Sequence, residues 1–128
     1  MKNAWGLLAA LLMIGGFFAF KSAPKVVAYD YTQITTIESV VPGGLGRSRM
    51  LVNEKGGMKE ELDMKNFFSI AGINFQNINT NEQLILEKVS QMNANGWELF
   101  TVTPGVVSPG NGGSTGLFIT RYLFRKEK

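Results

Sequence analysis

The chain has 128 residues, a formal net charge of +3, and neither histidine nor cysteine. This composition excludes disulfides, thiol nucleophiles and lipidated cysteines, and it removes the commonest general base and transition-metal ligands. Without the lysines up to Lys21 the charge is close to neutral, so nothing favours a nucleic-acid partner.

An uncharged apolar run extends from Ala4 to Phe20, between Lys2 and Lys21. As a helix it would reach about 25 Å, which suffices for a bilayer core of about 30 Å if the flanking lysines snorkel. It also has the basic start and apolar centre of a secretory signal, but no small residues at both positions that cleavage needs. We expect residues 1–23 to be a signal peptide or a membrane anchor, and residues 24–128 to form one small exported or anchored domain.

The first half of this domain has the composition of strands. β-Branched and aromatic residues predict a strand from Lys25 to Val41, which Pro42-Gly43-Gly44 ends. Two shorter strands are predicted, from Met50 to Asn53 and from Met58 to Met64, because a Glu-Lys-Gly-Gly turn separates them.

A long helix is predicted after an ambiguous stretch. The segment from Asn66 to Asn81 is interpreted as a short helical turn followed by a packed loop. Thr80 and Gln83 form a capping box, so the helix is expected to begin there and to end at Asn95-Gly96.

The buried stripe of this helix is predicted from its spacing. Ile85, Val89 and Met92 recur at helical intervals, and Leu84 and Leu86 widen the stripe. Glu87 and Lys88 are expected to face solvent.

Two strands close the chain. Trp97 to Thr103 is predicted as a strand, Pro104 to Thr115 as a glycine-rich loop, and Gly116 to Arg125 as the returning strand. These elements predict an α+β fold, in which one main helix packs on a small antiparallel sheet of about four to five strands. The apolar helix at the N-terminus would precede it.

The segment Asn95-Gly96-Trp97-Glu98-Leu99 and the final strand Arg121 to Lys126 carry a family resemblance. With Val26 to Tyr31 as the opening strand, the chain resembles the small bacterial domain-of-unknown-function family 4177. The resemblance implies the fold and a bacterial origin, and it brings no activity. Residues 43–79 depart from the family pattern and are interpreted as an inserted hairpin and loop.

Two sets of residues are candidate sites. Arg47, Ser48 and Arg49 follow a glycine-rich turn and form a candidate site for an anion or a partner, with a plain inter-strand loop as the alternative. In the last hairpin, Trp97 is expected to cover the helix or to stack on a ligand, while Glu98 pairs with Arg121 or Arg125. The candidate partner contacts there are Trp97, Glu98, Arg121 and Tyr122.

These observations favour an interaction module without catalytic activity. No nucleophile motif surrounds any serine, and no cofactor or metal fingerprint is present in the sequence. We expect the domain to lie in the bacterial cell envelope or periplasm and to bind a protein or ligand, in part through an open sheet edge. The alternatives are a self-associating structural subunit and an enzyme that uses carboxylate or tyrosine chemistry.

Overall fold

The computed structural model describes residues 26–107 and 116–128. The predicted signal or anchor, and most of the predicted glycine-rich loop, lie outside the described residues. The elements in chain order are β1 (Tyr29–Ser39), a 3-10 turn (Pro42–Gly44), β2 (Ser48–Glu54), β3 (Gly57–Met64), β4 (Phe68–Ser69), β5 (Gly72–Ile73), α1 (Phe75–Ala94), β6 (Glu98–Val107) and β7 (Leu117–Glu127).

Five of the strands form one antiparallel sheet in the order β3-β2-β1-β7-β6. The central strand β1 pairs along its whole length with β7, from Tyr29 opposite Glu127 to Ser39 opposite Leu117. The expected α+β class, with one helix on a small antiparallel sheet, is therefore confirmed for the described residues. This order places the first hairpin and the last hairpin on opposite sides of β1.

One face of the sheet packs against α1. The buried core consists of Ile34, Met50, Val52, Met64, Ile85, Met92 and Phe124, and Leu62, Leu84, Val89, Trp97 and Tyr122 pack against it. Alternate residues of the central strands supply this core because successive side chains point to opposite faces. Trp97, which was expected to cover the helix or to stack on a ligand, is half-buried against this cluster.

The helix begins earlier than predicted. Asn74 is the N-cap, and its side chain accepts a hydrogen bond from the Asn77 amide at 3.1 Å. Thr80 is not a cap but lies within the helix, where its hydroxyl donates to the Gln76 carbonyl at 2.9 Å. The capping-box prediction was wrong because the true cap lies six residues upstream, within a segment rich in asparagine. The predicted end is confirmed: Gly96 follows the helix with φ of 81°.

Three further predictions need correction. The segment that precedes the helix forms the small hairpin β4–β5 rather than a helical turn. Lys88 is buried and pairs with Glu60 of β3 instead of facing solvent. Strand β6 continues through Pro104 to Val107, where a loop was expected.

Packing of the core sets the first testable expectation. Phe124 is 0% exposed, so Phe124→Ala is expected to lower the free energy of unfolding by about 3–5 kcal/mol. Phe75→Ala is the matched control, because Phe75 is 76% exposed, and it is expected to change that free energy by less than about 1 kcal/mol. Urea unfolding followed by far-ultraviolet circular dichroism measures both, and equal losses would contradict this account of the core.

Candidate functional site

The two edges of the five-stranded sheet differ in chemistry. Edge strand β3 carries Lys59, Glu60, Glu61 and Asp63, and its pairing with β2 shifts register between Val52 and Asn53. Charges and bulges of this kind discourage the addition of another strand. Edge strand β6 has one charged residue, Glu98, among its ten, and its own register shift lies near its start, between Leu99 and Thr101. From Thr101 onward β6 has neither a charge nor a register shift, so this part of the edge remains suited to pairing.

The two flanks of α1 also differ: an ion pair closes one flank, whereas apolar side chains are exposed on the other. The flank that faces β3 is closed by the ion pair between Lys88 and Glu60, beside Leu62 and Leu84. Helical spacing places Glu82 and Leu86 on the opposite flank, toward β7 and β6. In agreement with this placement, the pKa of Tyr122 on β7 is raised by burial and, to a smaller extent, by the negative charges of Glu38 and Glu82.

Apolar side chains on this second flank and on β6 remain uncovered in the described part of the chain. Leu86 is 64% exposed, and on β6 Val102 and Val106 are 44% and 64% exposed. Val102 and Val106 lie opposite Tyr122 and Phe118 of β7, so they point to the same side of the sheet as the helix. We call this surface the edge groove, and its members are Phe75, Leu86, Leu99, Val102, Val106 and Phe118.

Pro104 determines which backbone groups the β6 edge offers. It lies within the ladder opposite Thr120, and a proline fits an edge strand where its nitrogen faces away from the neighbouring strand. Amides two residues apart on a strand point the same way, so Val102 and Val106 direct their N–H groups to the free edge on either side of Pro104. The edge therefore offers two donors separated by a gap.

Polar side chains hold the first half of α1 against the sheet. Asn81 is buried; its Oδ1 accepts from the Lys65 amide and its Nδ2 donates to the Lys65 carbonyl, both at 2.8 Å. Asn81 Nδ2 also donates to Glu38 Oε1 at 3.4 Å. Burial raises the pKa of Glu38, the hydrogen bond from Asn81 opposes this, and the charge of Glu82 adds to the rise.

The first predicted site is divided by the fold. The Ser48 hydroxyl is buried, where it accepts from the Ser39 amide at 2.9 Å and donates to Asn66 Oδ1 at 3.1 Å. Arg49 Nη1 pairs with Glu61 Oε1 at 2.8 Å, while Arg47 is exposed. The structure thus shows internal partners for Ser48 and Arg49, and anion binding by these residues stays a prediction.

The second predicted set lies on both faces of the last hairpin. Glu98 and Arg125 form a bidentate pair at 2.9 and 3.2 Å, which holds the pKa of the Glu98 carboxyl below its usual range. Arg121 is exposed opposite Thr103, so Arg125 rather than Arg121 is the partner of Glu98. Tyr122 and Trp97 lie on the helix side instead. The four residues do not converge on one site.

A separate cleft of about 440 Å³ opens where β1 begins. Its lining residues are Tyr29, Asp30, Tyr31, Glu54, Lys55, Trp97 and Lys128. Lys128 Nζ pairs with Asp30 Oδ1 at 3.0 Å, so charges of both signs already meet there. Within the described residues no group of three acidic side chains is placed to hold a metal ion, and no helix is long and apolar enough to cross a membrane.

Comparison with protein-family models, with curated proteins and with solved structures finds no match to the chain. The resemblance to family 4177 therefore stays a prediction that rests on the residues quoted for it.

The environment of Glu38 predicts a dependence of stability on pH. Because the pKa of Glu38 is raised in the folded protein, ionisation of its carboxyl group lowers the free energy of unfolding. This loss is absent at low pH and appears as pH rises above the pKa of a glutamate in the unfolded chain, about 4.3. Glu38→Gln is therefore expected to raise the midpoint of urea unfolding at pH 7 and to leave it nearly unchanged at about pH 3.5. Glu87→Gln, on the exposed side of α1, is the control and is expected to show no such difference. Equal gains at both pH values would contradict the assignment.

Proposed function

We propose that this protein is an interaction module without catalytic activity, held at the bacterial cell envelope by the run from Ala4 to Phe20, which binds an extended segment of a partner protein along β6. The observation that supports it best is the contrast in charge between the edges, because half of the residues of β3 are charged, whereas β6 carries no charge after Glu98 and is exposed at every position but Gly105.

Binding by strand addition uses both parts of the edge groove. The partner's backbone accepts hydrogen bonds from the outward amides of Val102 and Val106, while every second side chain of the partner enters the space between α1 and β6. Each apolar side chain that becomes buried contributes about 1.5–3 kcal/mol, and the ordering of the extended segment offsets part of this. The partner segment is therefore expected to have apolar residues at alternate positions and few charges among them.

The absence of catalysis is proposed from residue chemistry. The chain has no histidine or cysteine, and the acidic and tyrosine side chains nearest the edge groove have structural neighbours. Glu38 accepts from Asn81, and Tyr122 packs against the core. The exposed carboxylate of Glu98 is paired with Arg125, which keeps it ionised and unsuited to act as an acid.

Photo-crosslinking in intact cells tests the proposed edge. A benzophenone amino acid in place of Val106 on β6 is expected to give an adduct with a second polypeptide, because partner side chains would lie within reach of this position. The same amino acid in place of Met58 on β3 is the matched control, since Met58 is also an exposed apolar residue on an edge strand. It is expected to give none.

A charged substitution on the helix side of β6 tests whether the adduct comes from specific binding or from chance contact. Val102→Lys is expected to reduce the Val106 adduct by about tenfold or more, because an ammonium group in the edge groove would lose its hydration on binding. Glu61→Lys on β3 is expected to leave the adduct unchanged. An adduct between two copies of the chain would favour the self-associating subunit. No adduct from Val106, or equal adducts from both edges, would overturn the proposal.

A further inference from the structure

The end of the sheet at which β1 begins has a distinctive set of aromatic side chains. Tyr29 and Tyr31 open β1, Trp97 directly precedes β6, and Phe100 is the third residue of β6. The register pairs Tyr31 with Arg125 and Arg125 with Glu98, which brings the beginnings of β1 and β6 to the same level of the sheet. We call this surface, with the neighbouring β2–β3 turn and the end of β7, the proximal end.

Tryptophan and tyrosine are concentrated at the proximal end, which also has Phe100. The proximal end has the one tryptophan and two of the three tyrosines of the described residues. At the opposite end the aromatic side chains are Phe67, Phe68, Phe75 and Phe118. Tryptophan and tyrosine are the aromatic residues enriched at the level of lipid headgroups, because each combines an apolar ring with a polar group.

The numbers of basic and acidic side chains at the proximal end are nearly equal. The basic ones are Lys55, Lys59, Arg125, Lys126 and Lys128, and the acidic ones are Asp30, Glu54, Glu98 and Glu127. The Arg125 guanidinium lies 4.9 Å from the ring centre of Tyr29 and 4.6 Å from that of Phe100. Long basic side chains laid over aromatic rings can keep their charges in water while the rings meet an apolar layer.

The length of chain before β1 keeps this end close to the predicted anchor. Residues 21–28 separate Phe20 from Tyr29, and eight residues span at most about 28 Å when fully extended. An anchored domain therefore cannot move its proximal end far from the bilayer surface, whereas its other end can lie farther away by the length of the sheet.

We infer that the proximal end docks on the headgroup layer of the membrane that holds the anchor, with Tyr31, Trp97 and Phe100 at the interface. This inference rests on the anchor in the proposed function and not on binding at β6. The cleft lined by Tyr29 and Lys128 is placed to receive the phosphate of a lipid headgroup, which Lys55 can meet while Asp30 stays paired with Lys128. Because the charges balance, docking depends on the aromatic rings more than on anionic lipid.

Depth-dependent fluorescence quenching tests the inference on the full chain in phosphatidylcholine vesicles. Trp5→Phe leaves Trp97 as the only tryptophan. Headgroup-level nitroxide lipids are expected to quench Trp97 at least about twice as strongly as a tryptophan at the opposite end, introduced by Phe118→Trp in a chain that also carries Trp5→Phe and Trp97→Phe.

Paired variants separate docking from proximity alone. Tyr31→Ser with Phe100→Ser is expected to reduce the quenching of Trp97 by about half or more, because the proximal end loses two rings that meet the interface. Ile73→Ser with Phe75→Ser, at the opposite end, is expected to leave it unchanged. Replacing a third of the lipid by phosphatidylglycerol is expected to change it by less than about twofold.

The outcomes distinguish the two ideas. If tryptophans at both ends are quenched equally in a chain that co-floats with the vesicles, the docking inference is overturned and the proposed anchor is still supported. A chain recovered from the native envelope without its first two dozen residues would overturn both. Quenching that rises severalfold with anionic lipid would replace the aromatic account by an electrostatic one, and the cross-linking result at β6 is independent of all three.

Discussion

A helix with its side chains is about 10 Å across, whereas five strands spaced about 4.8 Å apart place the outer two roughly 19 Å from each other. One helix therefore cannot cover the whole of this sheet. Two polar contacts decide which part it covers, because Lys88 pairs with Glu60 and Asn81 bonds to the backbone of Lys65. Both lie toward β3, so the part left uncovered is β6.

Much of this fold can be predicted from the sequence because local signals agree with the final packing. The β2–β3 turn, the end of the helix and the returning strand follow from glycines and from apolar spacing. The start of the helix could not be predicted in the same way. Asparagine is a poor helix former, and Asn77, Asn79 and Asn81 hide the first two turns. Asn81 is buried within the apolar stripe of α1 because it hydrogen-bonds to the backbone of Lys65, directly after β3. The spacing of residues along the helix does not predict this contact.

The candidate surface was harder to predict than the fold. The expectation of an open sheet edge is general to antiparallel sheets, but which strand lies at the edge depends on the order of strands, and that depends on long-range pairing. Leu86 could be assigned only to a widened stripe, since its exposure follows from the position of α1 across the sheet. The sequence nevertheless contains a signal for β6, because the nine residues after Glu98 carry no charge. Pro104 interrupts this run, and a proline at that position favours a loop in a prediction from sequence.

Pro104 has a consequence for solubility. An exposed apolar strand is a template for fibril growth, in which each new strand must find an unbroken row of donors and acceptors. The missing amide at the centre of β6 interrupts that row on its outer side. A single segment that leaves this position unbonded can still pair on both sides of the gap, while stacking of many identical strands in register is penalised at every layer. The chain can thus keep an open apolar sheet edge at low risk of aggregation.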